Sequence, residues 1–102
     1  MNPIRIQRSR KVKQVSPNGL PIVYVGRPTK YGNLYRVDDP DIVTTEKAVK
    51  CFEVWIKYLI ESRKGYLEQI KKDLKGKNLS CWCKIGEPCH ADILLKIANK
   101  QP

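Results

Sequence analysis

Acidic side chains are missing from the first 36 residues, although the chain has ten of them elsewhere. Eight cations stand in that stretch: Arg5, Arg8, Arg10, Lys11, Lys13, Arg27, Lys30 and Arg36. Residues 37–75 balance eight bases against eight acids, so most of the formal charge of +10 sits on the N-terminal third. The absence excludes local neutralisation, and a basic segment of this density attracts polyanions, of which nucleic acid is the commonest in a cell. Arg5, Arg8, Arg10, Lys11 and Lys13 are the candidate nucleic-acid contacts, with residues 8–18 as a basic loop or arm. The plainer role for such an arm is to stay solvated and keep a small protein soluble.

Long apolar runs are also lacking: none approaches the ~18 residues of a membrane span, and no signal-peptide pattern opens the chain. The expectation is a soluble, cytoplasmic protein with no membrane partner. There is no internal repeat and no low-complexity segment. With 102 residues there is room for one domain only, and a chain this size buries roughly 65% of its unfolded surface. A hydrophobic fraction of 41% and a charged fraction of 29% are those of a globular chain.

Cysteine is scarce enough to be informative. Without a secretory signal the four thiols are expected to stay reduced, so a disulfide framework is set aside in favour of metal, catalysis or core packing. Cys51 lies inside a helical apolar pattern and reads as a buried, inert thiol. The other three fall together in "SCWCKIGEPCHAD".

Periodicity orders the chain. Ile4 and Ile6 alternate with Arg5, which suggests an edge strand running into the basic arm. "SPNGLP" (16–21) is a turn, and "IVYV" (22–25) is a short β-branched run suited to a buried strand. "LYRV" (34–37) is a further short strand candidate. From Thr44 the period lengthens: Ala48, Phe52, Trp55 and Leu59 recur at helical spacing, with a threonine cap before them and Gly65 after. A second helix is expected from Tyr66 to Leu74, a strand over 78–82, and a last helix in "ADILLKIAN". The order β-β-β-α-α-β-α predicts a small open α/β fold with a partly parallel sheet and helices packed on it. Strands 22–25 and 78–82, separated by helices, are expected to be parallel neighbours. The loops that follow them would then meet at one sheet edge, where open α/β sheets bind ligands.

The first of those loops, "GRPTKYGN" (26–33), is rich in turn-formers and donors. Gly26 and Gly32 allow close backbone approach, Arg27 offers a planar fork for phosphate or carboxylate and Lys30 a point charge. Tyr31 can stack on a base and Asn33 can read a donor–acceptor edge. The stretch matches neither the P-loop nor the dinucleotide fingerprint. Its plainer role is a structural turn with its cations in water.

In the second loop, strand alternation puts Cys81 and Cys83 on one face and Trp82 on the other. Cys89 and His90 follow at the expected start of the last helix, beside Pro88. Two uses compete. Cys81, Cys83, Cys89 and His90 form a legitimate zinc set, though adjacent residues seldom reach one ion without strain. Alternatively, a helix N-terminus favours an anion and a thiolate, which makes Cys89 a candidate nucleophile, with His90 and Asp92 as candidate proton carriers. Asp92 also suits the first turn of a helix with no further role.

"YVGRPTKYGNLYRV", "AVKCFEVWIKYL" and "LSCWCKIGEPCHADILLKIAN", in this order, resemble a family of small uncharacterised domains that recur in bacteriophage and bacterial genomes. The likeness spans roughly residues 5–100, with Leu34 where the family pattern has proline. It implies membership and a bacterial or host-cell cytoplasmic setting, and leaves the activity open. The expected function is a nucleotide- or nucleic-acid-interacting domain with an anion-binding pocket, acting, if an enzyme, at a phosphate or glycosidic centre. The alternatives are a non-catalytic nucleic-acid module using the basic arm, and a zinc-stabilised interaction domain.

Overall fold

In the computed structural model, the described residues are 2–9, 15–27, 29–33, 35, 40–83 and 85–100. They form β1 (Arg5–Gln7), β2 (Ile22–Tyr24), α1 (Thr45–Ser62), α2 (Tyr66–Leu74), β3 (Asn78–Cys81) and α3 (His90–Asn99). The sheet has three strands in the order β1-β3-β2, and both pairings are parallel. The fold is therefore a small α/β domain with an open parallel sheet. Of the expected strand at 34–37, Leu34, Arg36 and Val37 lie outside the described residues.

Parallel neighbours cannot be joined by a tight hairpin, and α1 and α2 supply the crossover from β2 to β3. Its consequence is geometric: all three strands end at the same edge. The ladder runs one residue past the strands, because Val25 N–H donates to the Ser80 carbonyl (3.0 Å) and Arg8 N–H to the Cys81 carbonyl (2.8 Å). The chain leaving each strand thus begins beside Cys81.

β3 is buried at every position, as a central strand must be. Its first residue, Asn78, is fully buried and polar, so its amide needs partners. Oδ1 accepts from Ile4 N–H (3.0 Å), while Nδ2 donates to Asn18 Oδ1 (2.8 Å) and to Ser16 Oγ (3.2 Å). The turn at 16–21 is thereby fastened to the start of β3.

α1 begins where Thr44 Oγ1 accepts from Lys47 N–H (3.1 Å), and its stripe Ala48, Phe52, Ile56 and Leu59 is buried. α2 follows with Ile70 and Leu74 inward, and α3 with Ala91, Leu94 and Ala98. Of these, Phe52, Ile56, Ile70, Leu74, Ala91, Leu94 and Ala98 close on Val25 and Leu79 in one core. Cys51, expected to be buried, is a free thiol at an intermediate position on α1.

Candidate functional site

The two unusual loops line a single crevice. Gly26, Arg27 and Asn33 contribute from the first, and Cys81, Trp82, Cys83, Pro88, Cys89 and His90 from the second, around a cavity of about 310 Å³. The parallel crossover explains the convergence, since both loops leave the sheet at its C-terminal edge. Tyr24, Tyr35, Thr45, Ala48 and Val49 complete the wall.

The opening loop is built from two consecutive turns, with Thr29 N–H donating to the Gly26 carbonyl and Gly32 N–H to the Thr29 carbonyl, both at 3.0 Å. Gly32 suits the tight approach there, since a Cβ would stand only 3.0 Å from the Arg27 backbone. Arg27 is exposed at the mouth of the crevice. Asn33 is buried, and its amide is already occupied: Nδ2 donates to the Ala48 carbonyl (3.1 Å) and Oδ1 accepts from Tyr35 N–H (2.9 Å). It shapes the wall rather than presenting a free edge.

Lys30 and Tyr31, expected to bind ligand, do not line this crevice. Both reach Asp73 on α2, Tyr31 through its hydroxyl (2.6 Å) and Lys30 through Nζ (2.9 Å). The Tyr31 hydroxyl bond, then those from Lys30 and Gln69, hold the Asp73 carboxyl well below the usual range. Burial, reinforced by Asp73, pushes the Tyr31 phenol up. The three side chains are a fastening between loop and helix.

Asp92 also lies apart. It pairs with Arg5 (3.3 Å), whose side chain is 7% exposed, and the two border a neighbouring cavity with Ile85, Gly86, Glu87 and Pro88. Arg8 stays near the first crevice, its guanidinium 4.6 Å from the centre of the Tyr24 ring and 5.6 Å from that of Trp82. The Trp82 indole N–H donates to Tyr24 Oη (3.0 Å), and that hydroxyl donates to the Arg27 carbonyl (2.7 Å). Arg10, Lys11 and Lys13 lie outside the described residues. Tyr24, Trp82 and Arg8 form a rim that sequence pattern does not assemble, because their contacts join β2, the end of β3 and the segment after β1.

The floor of the crevice is sulfur. The Sγ atoms of Cys81, Cys83 and Cys89 all lie within 4.8 Å of one another, close enough to hold one metal ion. Cys81 and Cys83 are 3.8 Å apart at Sγ, with Trp82 exposed between them; β3 ends at Cys81, one residue short of the expected strand, and Trp82 and Cys83 lie in a bend rather than in strand alternation. Cys89 is the N-cap residue of α3, with Pro88 just before it; its thiol makes no capping bond and turns into the cluster. His90 is buried, with Nε2 2.7 Å from the Val25 carbonyl and Nδ1 3.8 Å from Cys89 Sγ. Since a carbonyl can only accept, Nε2 carries the proton and donates. Hydrogen bonding from Cys83 and Cys89 lowers the Cys81 thiol, while the same bond, reinforced by burial, raises that of Cys83. For His90, burial opposes the charge but bonding to Cys81, Cys89 and the Val25 carbonyl prevails, lifting it to about 10.

No curated protein and no solved structure matches the chain. A family model described as a domain of unknown function matches residues 4–100, nearly the whole length. The chain belongs to that family, DUF4326.

Proposed function

We propose that the crevice binds a nucleotide unit, free or at the end of a single strand, with Arg27 at its phosphate and the Tyr24–Trp82 rim against its base. The observation that carries this reading is the meeting of the two loops around one cavity of about 310 Å³, within the size range of small-ligand pockets. The net charge of +10 favours an anionic ligand. Exposed Trp82, half covered by neighbours, offers an aromatic face at the mouth, and base–aromatic stacking contributes about 1–3 kcal/mol per base.

The reading is one of binding. A shared catalytic role for His90, Asp92 and Cys89 is disfavoured by their arrangement: His90 Nε2 is held by Val25 and Asp92 borders the other cavity with Arg5. The basic-arm alternative is weakened by the engagement of two of its five cations, Arg5 with Asp92 and Arg8 with the Tyr24 and Trp82 rings.

A thermal-shift screen of nucleoside mono-, di- and triphosphates and short oligonucleotides tests this. A ligand at 100 times its Kd is expected to stabilise the domain by about 2.7 kcal/mol, and Arg27→Ala and Trp82→Ala to abolish most of the shift. Shifts that survive both substitutions, or no shift with any probe, overturn the reading.

A further inference from the structure

We infer that Cys81, Cys83, Cys89 and His90 form a closed four-coordinate zinc site, with His90 binding through Nδ1. A tetrahedral ion with Zn–S bonds of ~2.3 Å sets its sulfurs roughly 3.8 Å apart. The Cys81–Cys83 separation is 3.8 Å, and all three sulfurs lie within 4.8 Å of one another. The three sulfurs are thus gathered close to the spacing of a zinc tetrahedron; His90 is not in that group, and its Nδ1 lies 3.8 Å from Cys89 Sγ.

His90 supplies the independent observation. A metal-bound imidazole characteristically donates its other ring N–H to a carbonyl or carboxylate, which fixes the tautomer and turns the remaining lone pair toward the ion. The Nε2–H of His90 donates to the Val25 carbonyl at 2.7 Å, and its Nδ1 lies 3.8 Å from Cys89 Sγ. Phe52 packs edge-on against the ring, with centroids 5.2 Å apart, and holds it in place. The imidazole is therefore oriented by groups on β2's extension and α1 before any ion arrives.

The adjacency of Cys89 and His90 is the objection, and the backbone answers it. Cys89 is extended (φ −151°, ψ 142°), while His90 is the first residue of α3. That change of direction lets consecutive side chains turn to the same point, a conformation any L-residue adopts without strain. The ion would join the end of β3 to the start of α3 and, through His90 and Val25, anchor the beginning of the opening loop. The four donors also line the crevice, but the zinc inference does not rest on the ligand reading, because Arg27 and Trp82 contribute no donor to it.

The test is metal analysis of full-length protein purified from zinc-supplemented culture, followed by cobalt(II) titration of chelator-treated protein. Expected are close to one equivalent of zinc per chain, and with cobalt an intense thiolate-to-metal charge-transfer band with tetrahedral d–d absorption. Cys83→Ser is expected to lower zinc affinity by more than about 100-fold, Cys51→Ser to leave it unchanged, and His90→Ala to keep the charge-transfer band while shifting the d–d bands. If Cys83→Ser fails to fold, the wild-type stoichiometry and cobalt spectrum decide alone. Less than a tenth of an equivalent of metal with no charge-transfer band overturns the inference, as does iron in place of zinc. A d–d spectrum unmoved by His90→Ala removes the fourth ligand and overturns the closed site.

Discussion

The hydroxyl of Tyr31 donates to Asp73 Oδ2 across 2.6 Å, tying the loop that opens the crevice to a helix 42 residues further along the chain. Asp73 accepts from Lys30 Nζ and Gln69 Nε2 as well. Its depressed pKa makes this fastening pH-dependent. A carboxyl lowered in the folded state adds stability above its unfolded pKa of about 3.9, and that stability is lost as pH falls through and below that value. Wild type is expected to exceed Asp73→Asn by about 1–2 kcal/mol between pH 5 and 8. The gap should shrink steadily below pH 4 in urea titrations of both proteins. A gap that stays constant down to pH 2.5 contradicts the assignment.

Asn78→Ala should be among the most damaging single changes outside the apolar core. It removes the partners of the Ile4 N–H, Asn18 and Ser16 at once, and buried polar groups left unpaired cost about 1–3 kcal/mol each. Because some of those groups can reach water, a loss of about 3 kcal/mol is expected, against about 1 kcal/mol for Ser16→Ala. Chemical denaturation of the two variants checks the ranking.

Val43 sits at φ 64°, immediately before the cap of α1, with a β-branched side chain that is 65% exposed. The left-handed region costs an ordinary L-residue roughly 1–2 kcal/mol, and a branched one suffers most. Val43→Gly is therefore expected to raise stability by about 0.5–1 kcal/mol after the entropy of glycine is counted. A destabilised variant would show that this backbone conformation is not the one adopted in solution.

Gly26→Ala should be felt at the rim. A Cβ there would overlap the Tyr24 ring, whose hydroxyl is bonded to both Trp82 and the Arg27 carbonyl. Displacing the ring is expected to expose Trp82 further. In a Trp55→Phe background, where Trp82 is the sole remaining tryptophan, its fluorescence should shift to the red and iodide should quench it more strongly. Unchanged emission would mean that Tyr24 yields without disturbing the rim.

Much of the frame was readable in advance. The helical stripe from Ala48 to Leu59 and its threonine cap are local patterns, and α2 runs from Tyr66 to Leu74 as its spacing predicts. The parallel pairing of β2 with β3 follows from the helices between them, and with it the meeting of the two loops.

What local pattern cannot carry is the choice among distant partners. Lys30 and Tyr31 looked as available as Arg27, yet a carboxylate on α2 holds both of them; Arg5 looked like its neighbour Arg8, yet Asp92 holds it. Likewise, two adjacent residues can share one ion only if the backbone turns between them, and that turn is set by where α3 packs. Residue types and periodicity determined the elements and the chemistry on offer. Tertiary structure decided which side chains remain at the crevice, because charge pairing and burial depend on distances in space that sequence separation does not encode.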